Sequence, residues 1–343
     1  MPDTKLRRSL PFAGLLLAAV VASRVLSRSP RSKPTTKKIF LEGDQAVLAR
    51  IREGRFSRTL ALVAGLSGLP TGADVLLEHY RGSYGQKVMW SPVVLSGAMA
   101  VAGVWGALSH RAAKTVLRWT SAVSLIDGLV GFGFHVRGIA RKPGGWRVPV
   151  ANLIMGPPIT APLLFGVAAY LGLIASYLRP EEAPAVDPRT WLERACDRVL
   201  RRPPPAWRVE LREGRFQKHL AAATIFATFC SGFEALYSHY KTNFRYKVQW
   251  TPVVMTPLLM GAAGASIKSA KVARTWLPGL SILAMLNGLV GFFFHVRGVL
   301  RRPGGVRQLC YNMIYGPPIF APLLFSACGF YGLLASLMRR ETD

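Results

Sequence analysis

The chain repeats itself. Residues 51–180 align with 211–340 at a constant offset of 160 without a gap, and 54 of the 130 paired positions are identical. A duplication of this length restricts the architecture to two copies of one unit, so every structural or chemical feature within it must be accounted for twice.

Each copy carries four apolar stretches, near 59–78, 92–109, 116–136 and 157–178, and again near 219–238, 251–267, 275–296 and 317–338. Each approaches the roughly 20 residues that an α-helix needs to cross about 30 Å of hydrocarbon. Backbone groups inside lipid have no water to bond, which leaves helices as the expected state. The expected fold is an all-α integral membrane protein of two tandem, parallel four-helix transmembrane repeats, with a short N-terminal apolar helix. Four spans per copy is an even number, so the second copy enters the membrane in the same orientation as the first. The copies are then related by a pseudo-two-fold axis along the membrane normal. Four segments follow: 1–50, an apolar segment and basic linker; 51–180, the first repeat; 181–210, a basic cytoplasmic linker; and 211–343, the second repeat.

Charge supports a membrane setting. The chain has 44 Lys and Arg against 17 Asp and Glu, a net charge of +27, yet half of its residues are apolar. A soluble protein this basic suggests a nucleic-acid partner. Here the basic residues fall in the connections between apolar stretches, so orientation explains the charge and no nucleic acid is expected. Membrane lipids are the expected surroundings. In 190–202, Trp191, Leu192, Ala195, Cys196, Val199 and Leu200 form one helical stripe ringed by arginines, the pattern of a helix lying on an anionic leaflet.

The two copies have not diverged evenly. Between 127 and 138 and its counterpart, 10 of 12 positions match, and between 156 and 165, 9 of 10 match, whereas from 95 to 126 only 6 of 32 do. Lipid-facing positions can drift among apolar types, so retained blocks mark constrained geometry or chemistry. The blocks cluster at one membrane surface: His79-Tyr80 ends the first span, Lys87-x-x-Trp90-x-Pro92 opens the second, Phe134-His135-Val136-Arg137-Gly138 ends the third, and Asn152 with Gly156-Pro157-Pro158 opens the fourth. Pro162 is expected inside the fourth helix, kinking it.

Lys and Arg number 13 in the loops on this motif side and 28 on the opposite side. Short basic loops stay in the cytoplasm, which places the motif side at the periplasm or exterior of a multi-pass protein of the inner (plasma) membrane. Residues 10–22, preceded by Lys5, Arg7 and Arg8, have the make-up of a signal-peptide core. The loop count outweighs those three charges, and an N-out short span or interfacial helix is expected there.

Histidines carry the sharpest chemical signal. Four of the six form two equivalent pairs, His79 with His135 and His239 with His295, and each lies near the motif-side end of the first or third span of its copy. Bis-histidine haem b ligation requires one imidazole on each axial face of the iron, from facing helices. Gly131 and Gly291, four residues before His135 and His295, would leave room beside the ligand helix. Arg137, Arg297, Lys87 and Lys247 would neutralise propionates. The competing reading is structural: interfacial histidines bond neighbouring helices, spaced glycines pack helices closely, and basic side chains snorkel to phosphates.

Asp74 and Glu234 occupy equivalent places five residues before His79 and His239. A charge at the bilayer centre costs roughly 2.5–3.5 kcal/mol on insertion scales. Such residues would handle protons, or would pair with Arg137 and Arg297. Asp127 faces Asn287 across the duplication, so only the first copy could accept a proton there.

Cys196, Cys230, Cys310 and Cys328 show no metal-ligand spacing and name no disulfide. The motif-side loops are too short for a soluble catalytic domain. The leading expectation is a membrane subunit of a respiratory-type electron-transfer oxidoreductase, binding haem b or quinone near the periplasmic face and working with a peripheral or membrane partner subunit. The alternative is a transporter, lipid-binding protein or scaffold with its site between the repeats.

Overall fold

The computed structural model of the chain describes residues 51–178, 210–211 and 215–339. The expectations for 1–50 and for the amphipathic stretch 190–202 lie outside these residues.

Among the described residues the fold is all-helical. Six helices are long and apolar enough to cross a membrane, which makes this a multi-pass membrane protein. The first half supplies α1 (Ser57–Arg81), α2 (Ser91–Leu108), α3 (Arg118–Ala140), the short α4 (Pro149–Ile154) and α5 (Ala161–Tyr177). The second supplies α6 (Gln217–Tyr240), α7 (Thr251–Lys268), α8 (Trp276–Leu300), α9 (Leu309–Tyr315) and α10 (Ala321–Leu337). In each half the four long helices close a ring: α1 packs on α2, α2 on α3, α3 on α5 and α5 on α1, as α6, α7, α8 and α10 do among themselves. The first and third helices therefore face each other diagonally.

The last helix of each ring departs from expectation. Spans were expected from 157 and 317, with Pro162 and Pro322 kinking their interiors; α5 and α10 instead begin at Ala161 and Ala321 and run 17 residues. Gly156-Pro157-Pro158 and its counterpart cannot propagate a helix, because proline lacks the N–H and biases the preceding residue towards extended backbone. Pro162 and Pro322 thus fall in the first turn, where the missing donor would be unsatisfied anyway, and cause no kink. At 1.5 Å per residue such a helix covers about 25 Å, just short of the hydrocarbon thickness.

Interior packing uses small residues. Gly65 on α1 and Gly103 on α2 meet backbone to backbone, so that a Cβ on Gly103 would stand 2.6 Å from the Ala61 carbonyl oxygen. Close approach of this kind provides van der Waals association where lipid gives helices no hydrophobic reason to pair. Ser96, Ser121, Thr224, Thr228 and Ser281 are buried in the same seams. Ser96 and Thr224 return their hydroxyls to carbonyls one turn back, at 2.6 and 2.8 Å. Large apolar side chains such as Val94, Val101, Leu129, Phe229 and Leu283 remain exposed, as a lipid-facing surface requires.

The halves share one core. Phe56 and Phe216, both buried, stack at 6.3 Å between ring centroids, and α5 packs on α6 while α10 packs on α1.

Candidate functional site: two facing histidine pairs

At the motif end of each half, the loop after the first helix is held rigid. Ser83, Tyr84, Asn243 and Phe244 all have positive φ, between 45° and 58°, a conformation that side-chain-bearing residues adopt only when their surroundings compel it. The compelling contacts are aromatic. Tyr84 stacks on Trp90 at 4.0 Å and Phe244 on Trp250 at 3.9 Å. Burial pushes the Tyr84 phenol above its ordinary pKa, and its hydroxyl donates to the Leu76 carbonyl at 3.2 Å.

This loop delivers a carbonyl to the first histidine. His79 Nδ1 bonds the Met89 carbonyl oxygen at 2.7 Å, and His239 Nδ1 bonds that of Gln249 at 2.8 Å. The third-helix histidines do the same with the segment preceding α5 and α10: His135 Nδ1 meets the Pro158 oxygen, and His295 Nδ1 the Pro318 oxygen, each at 2.5 Å. A carbonyl can only accept, so every one of these rings carries its proton on Nδ1. Among the described residues Nε2 has no hydrogen-bond partner, and an imidazole held through Nδ1 in this way is the arrangement that orients metal-ligating histidines.

In the second half the members of the pair approach each other. His239 and His295 stand 6.5 Å apart between ring centroids, at 72°. Two imidazoles bound to opposite faces of one metal, with metal–nitrogen bonds of about 2.0 Å, place their centroids about 6 Å apart.

Beside each pair lies a hydroxyl joined to a third-helix polar group. Ser91 Oγ donates to Asp127 Oδ1 at 2.6 Å in the first half, and Thr251 Oγ1 lies 3.3 Å from Asn287 Oδ1 in the second. The two sites are alike in geometry and different in charge capacity.

The remaining residues fall into separate places. Gly131 and Gly291 abut the prolines of the neighbouring helix, a Cβ on either meeting Pro162 or Pro322 at 3.1 or 3.0 Å, so here they admit a helix. Arg137, Arg297, Lys87 and Lys247 are exposed at the same end. Asn152 donates to the Pro143 and Gly145 carbonyls at 3.0 and 2.7 Å, and Asn312 to those of Pro303 and Gly305 at 3.2 and 3.1 Å, fastening the turns that lead from α3 and α8. Cys230, Cys310 and Cys328 are free thiols. Among the described residues no cluster of three or more His, Cys, Asp or Glu gathers as a metal-binding group.

Asp74 and Glu234 find partners that sequence reasoning missed. Neither pairs with Arg137 or Arg297; each reaches into the other half. Glu234 Oε1 accepts from the Thr160 hydroxyl at 3.0 Å, and Asp74 Oδ1 from the Phe320 backbone N–H at 3.3 Å. Thr160 and Phe320 are the residues immediately before α5 and α10, so each carboxyl group meets a helix N-terminus, where unpaired N–H groups and the helix dipole favour an acceptor. The signal was present but inverted: 160 and 320 are the single mismatch in an otherwise identical ten-residue block.

Around this contact stand Glu78, which accepts from Arg81 at 2.9 Å, and Lys241, whose ammonium lies 5.5 Å from the Tyr237 ring centroid. Burial lowers the Lys241 pKa, with Glu78 opposing and Arg81 reinforcing the shift.

No protein-family model matches the chain, and comparison with curated proteins and with solved structures returns no similar chain.

Proposed function

We propose that the chain is an inner-membrane electron-transfer subunit of two tandem, parallel four-helix repeats, each holding one haem b between its paired histidines near the periplasmic face. The observation that carries this reading is the state of the four imidazoles. All four commit Nδ1 to a backbone carbonyl, with no Nε2 hydrogen bond among the described residues, and His239 stands 6.5 Å from His295 between ring centroids. His79 with His135, and His239 with His295, would hold the haem iron, which would supply one-electron transfer, and two protein ligands per site would suffice for it.

The chain's own residues then have definite tasks. The carbonyls of Met89, Pro158, Gln249 and Pro318 set the tautomer and the ring orientation. Arg137, Lys87, Arg297 and Lys247 lie at the surface where propionates would emerge. The hydrogen bonds of Asp74 and Glu234 to the opposite half support an anchoring task for these carboxyls in place of proton transfer. Short motif-side loops leave electron delivery and substrate chemistry to a partner subunit. A quinone would occupy a single imidazole per site; two imidazoles with ring centroids 6.5 Å apart in the second half favour a metal.

The test is the visible spectrum of the detergent-purified protein from haem-replete cells, oxidised and then dithionite-reduced. A Soret band that shifts on reduction, with an α band emerging, is expected. A featureless spectrum overturns the proposal.

A further inference from the structure

Two arms of hydrogen bonds and helix, one in each direction, run from the third-helix histidine of one half to the first helix of the other. The first starts at His135, whose Nδ1 grips the Pro158 carbonyl at 2.5 Å. Two residues on, the buried Thr160 hydroxyl is shared between the Cys230 carbonyl and Glu234 Oε1, each 3.0 Å away on α6. Glu234 lies five residues before His239 on that same helix, and His239 faces His295 at 6.5 Å. The return arm has the same form. His295 grips the Pro318 carbonyl at 2.5 Å, the Phe320 N–H donates to Asp74 Oδ1 at 3.3 Å, and Asp74 lies five residues before His79 on α1.

We propose that these arms couple the two histidine sites: the segment that each third-helix histidine holds, 156–160 or 316–320, grips the carboxyl group that steadies the histidine-bearing helix end of the other half. Thr160, Glu234, Phe320 and Asp74 are positioning residues for the opposite site. The physical basis is continuity. Helix ends and hydrogen bonds of 2.5–3.3 Å connect the two sites, and coupling energy needs an element that both sites bias. Here that element is the non-helical segment before α5 or α10, which cannot relax into a helix because of its prolines.

The arms are unequal. Both carboxyl groups face the backbone N–H groups that open α5 or α10, but only Glu234 also receives a hydroxyl, from Thr160, which reaches two acceptors; Asp74 has Phe320 N–H at 3.3 Å with Ala321 N–H beside it, and its Oδ2, also buried, has no hydrogen-bond partner among the described residues. The arm from His135 to α6 is therefore the stronger.

The coupling rests on the proposed function only in taking the histidine pairs as the sites. Hydrogen exchange by mass spectrometry on the full-length, detergent-solubilised chain reads it without any ligand. His135→Ala and, independently, Thr160→Val are expected to speed exchange of the amides in 235–241 by about tenfold, the mark of a local opening made easier. His135→Ala should leave 75–81 of its own half less affected. Thr160→Ser keeps the hydroxyl and should exchange like the parent chain. His295→Ala should act on 75–81, more weakly. Unchanged exchange at 235–241 in Thr160→Val, or an effect of His135→Ala confined to its own half, overturns the coupling. A haem-free spectrum beside the expected exchange pattern would overturn the haem assignment and leave the coupling standing.

Discussion

Phe56 and Phe216 stack on each other at 6.3 Å although 160 residues of chain separate them, and each occupies the place in its half that the other occupies in its own. Both directly precede the first long helix of their half, and both are buried, Phe216 completely. Two equivalent residues in contact bring the halves together at one point on the side remote from the histidines. Phe216→Ala is expected to cost about 3–5 kcal/mol of stability, the range for truncating a buried aromatic. Thermal unfolding in detergent measures it. A loss below about 1 kcal/mol would mean that the halves do not depend on this contact.

Glycines of the same sequence type should respond oppositely. Gly103 crosses α1 at backbone contact, and Gly103→Val is expected to destabilise by at least about 1–3 kcal/mol, as overpacking does. Gly133 on α3 has open space where a methyl group would stand, with nothing within 4 Å, and Gly133→Ala should be neutral or gain about 0.5–1 kcal/mol from helix propensity. Equal effects from the two substitutions would contradict these helix contacts.

Single replacements of the paired histidines divide the proposed cofactor signal. His135→Ala and His295→Ala should each remove about half of the haem absorbance, and their combination nearly all of it, if each pair holds one haem. Retention of the full signal in both single variants would refute these ligand assignments.

Orientation is open to direct labelling. In a chain whose native cysteines are replaced, Gly85→Cys and Arg111→Cys sit at opposite ends of α2. An impermeant thiol reagent applied from the periplasmic side should label position 85 in intact cells and reach 111 only after permeabilisation. The reverse pattern would invert the protein in the membrane; labelling of both from one side would remove α2 as a span.

Much of this architecture was legible because it depends on local pattern. The apolar stretches predicted every long helix, and the preference of proline for a first turn explains why α5 and α10 begin four residues later than hydropathy alone suggests. The paired histidines stood out because both copies retain them. Their Nδ1 partners did not, because a carbonyl accepts whatever side chain its residue carries: Met89 and Gln249 do the same work at equivalent positions with unrelated side chains. Gly131 and Gly291 likewise announced close approach without saying what approaches, and only the packed helices show that it is a proline.

The sequence by itself determined a duplicated, helical membrane chain, its helix positions and the four histidines at one end. Only the tertiary structure decided that Asp74 and Glu234 serve the half they do not belong to. Those contacts join residues 246 and 74 positions apart, and one of them ends on a backbone N–H. Backbone groups are the same at every residue, so a helix N-terminus that seeks an acceptor leaves no mark in the sequence beyond the turn that creates it, and its partner is set by which helices meet in space.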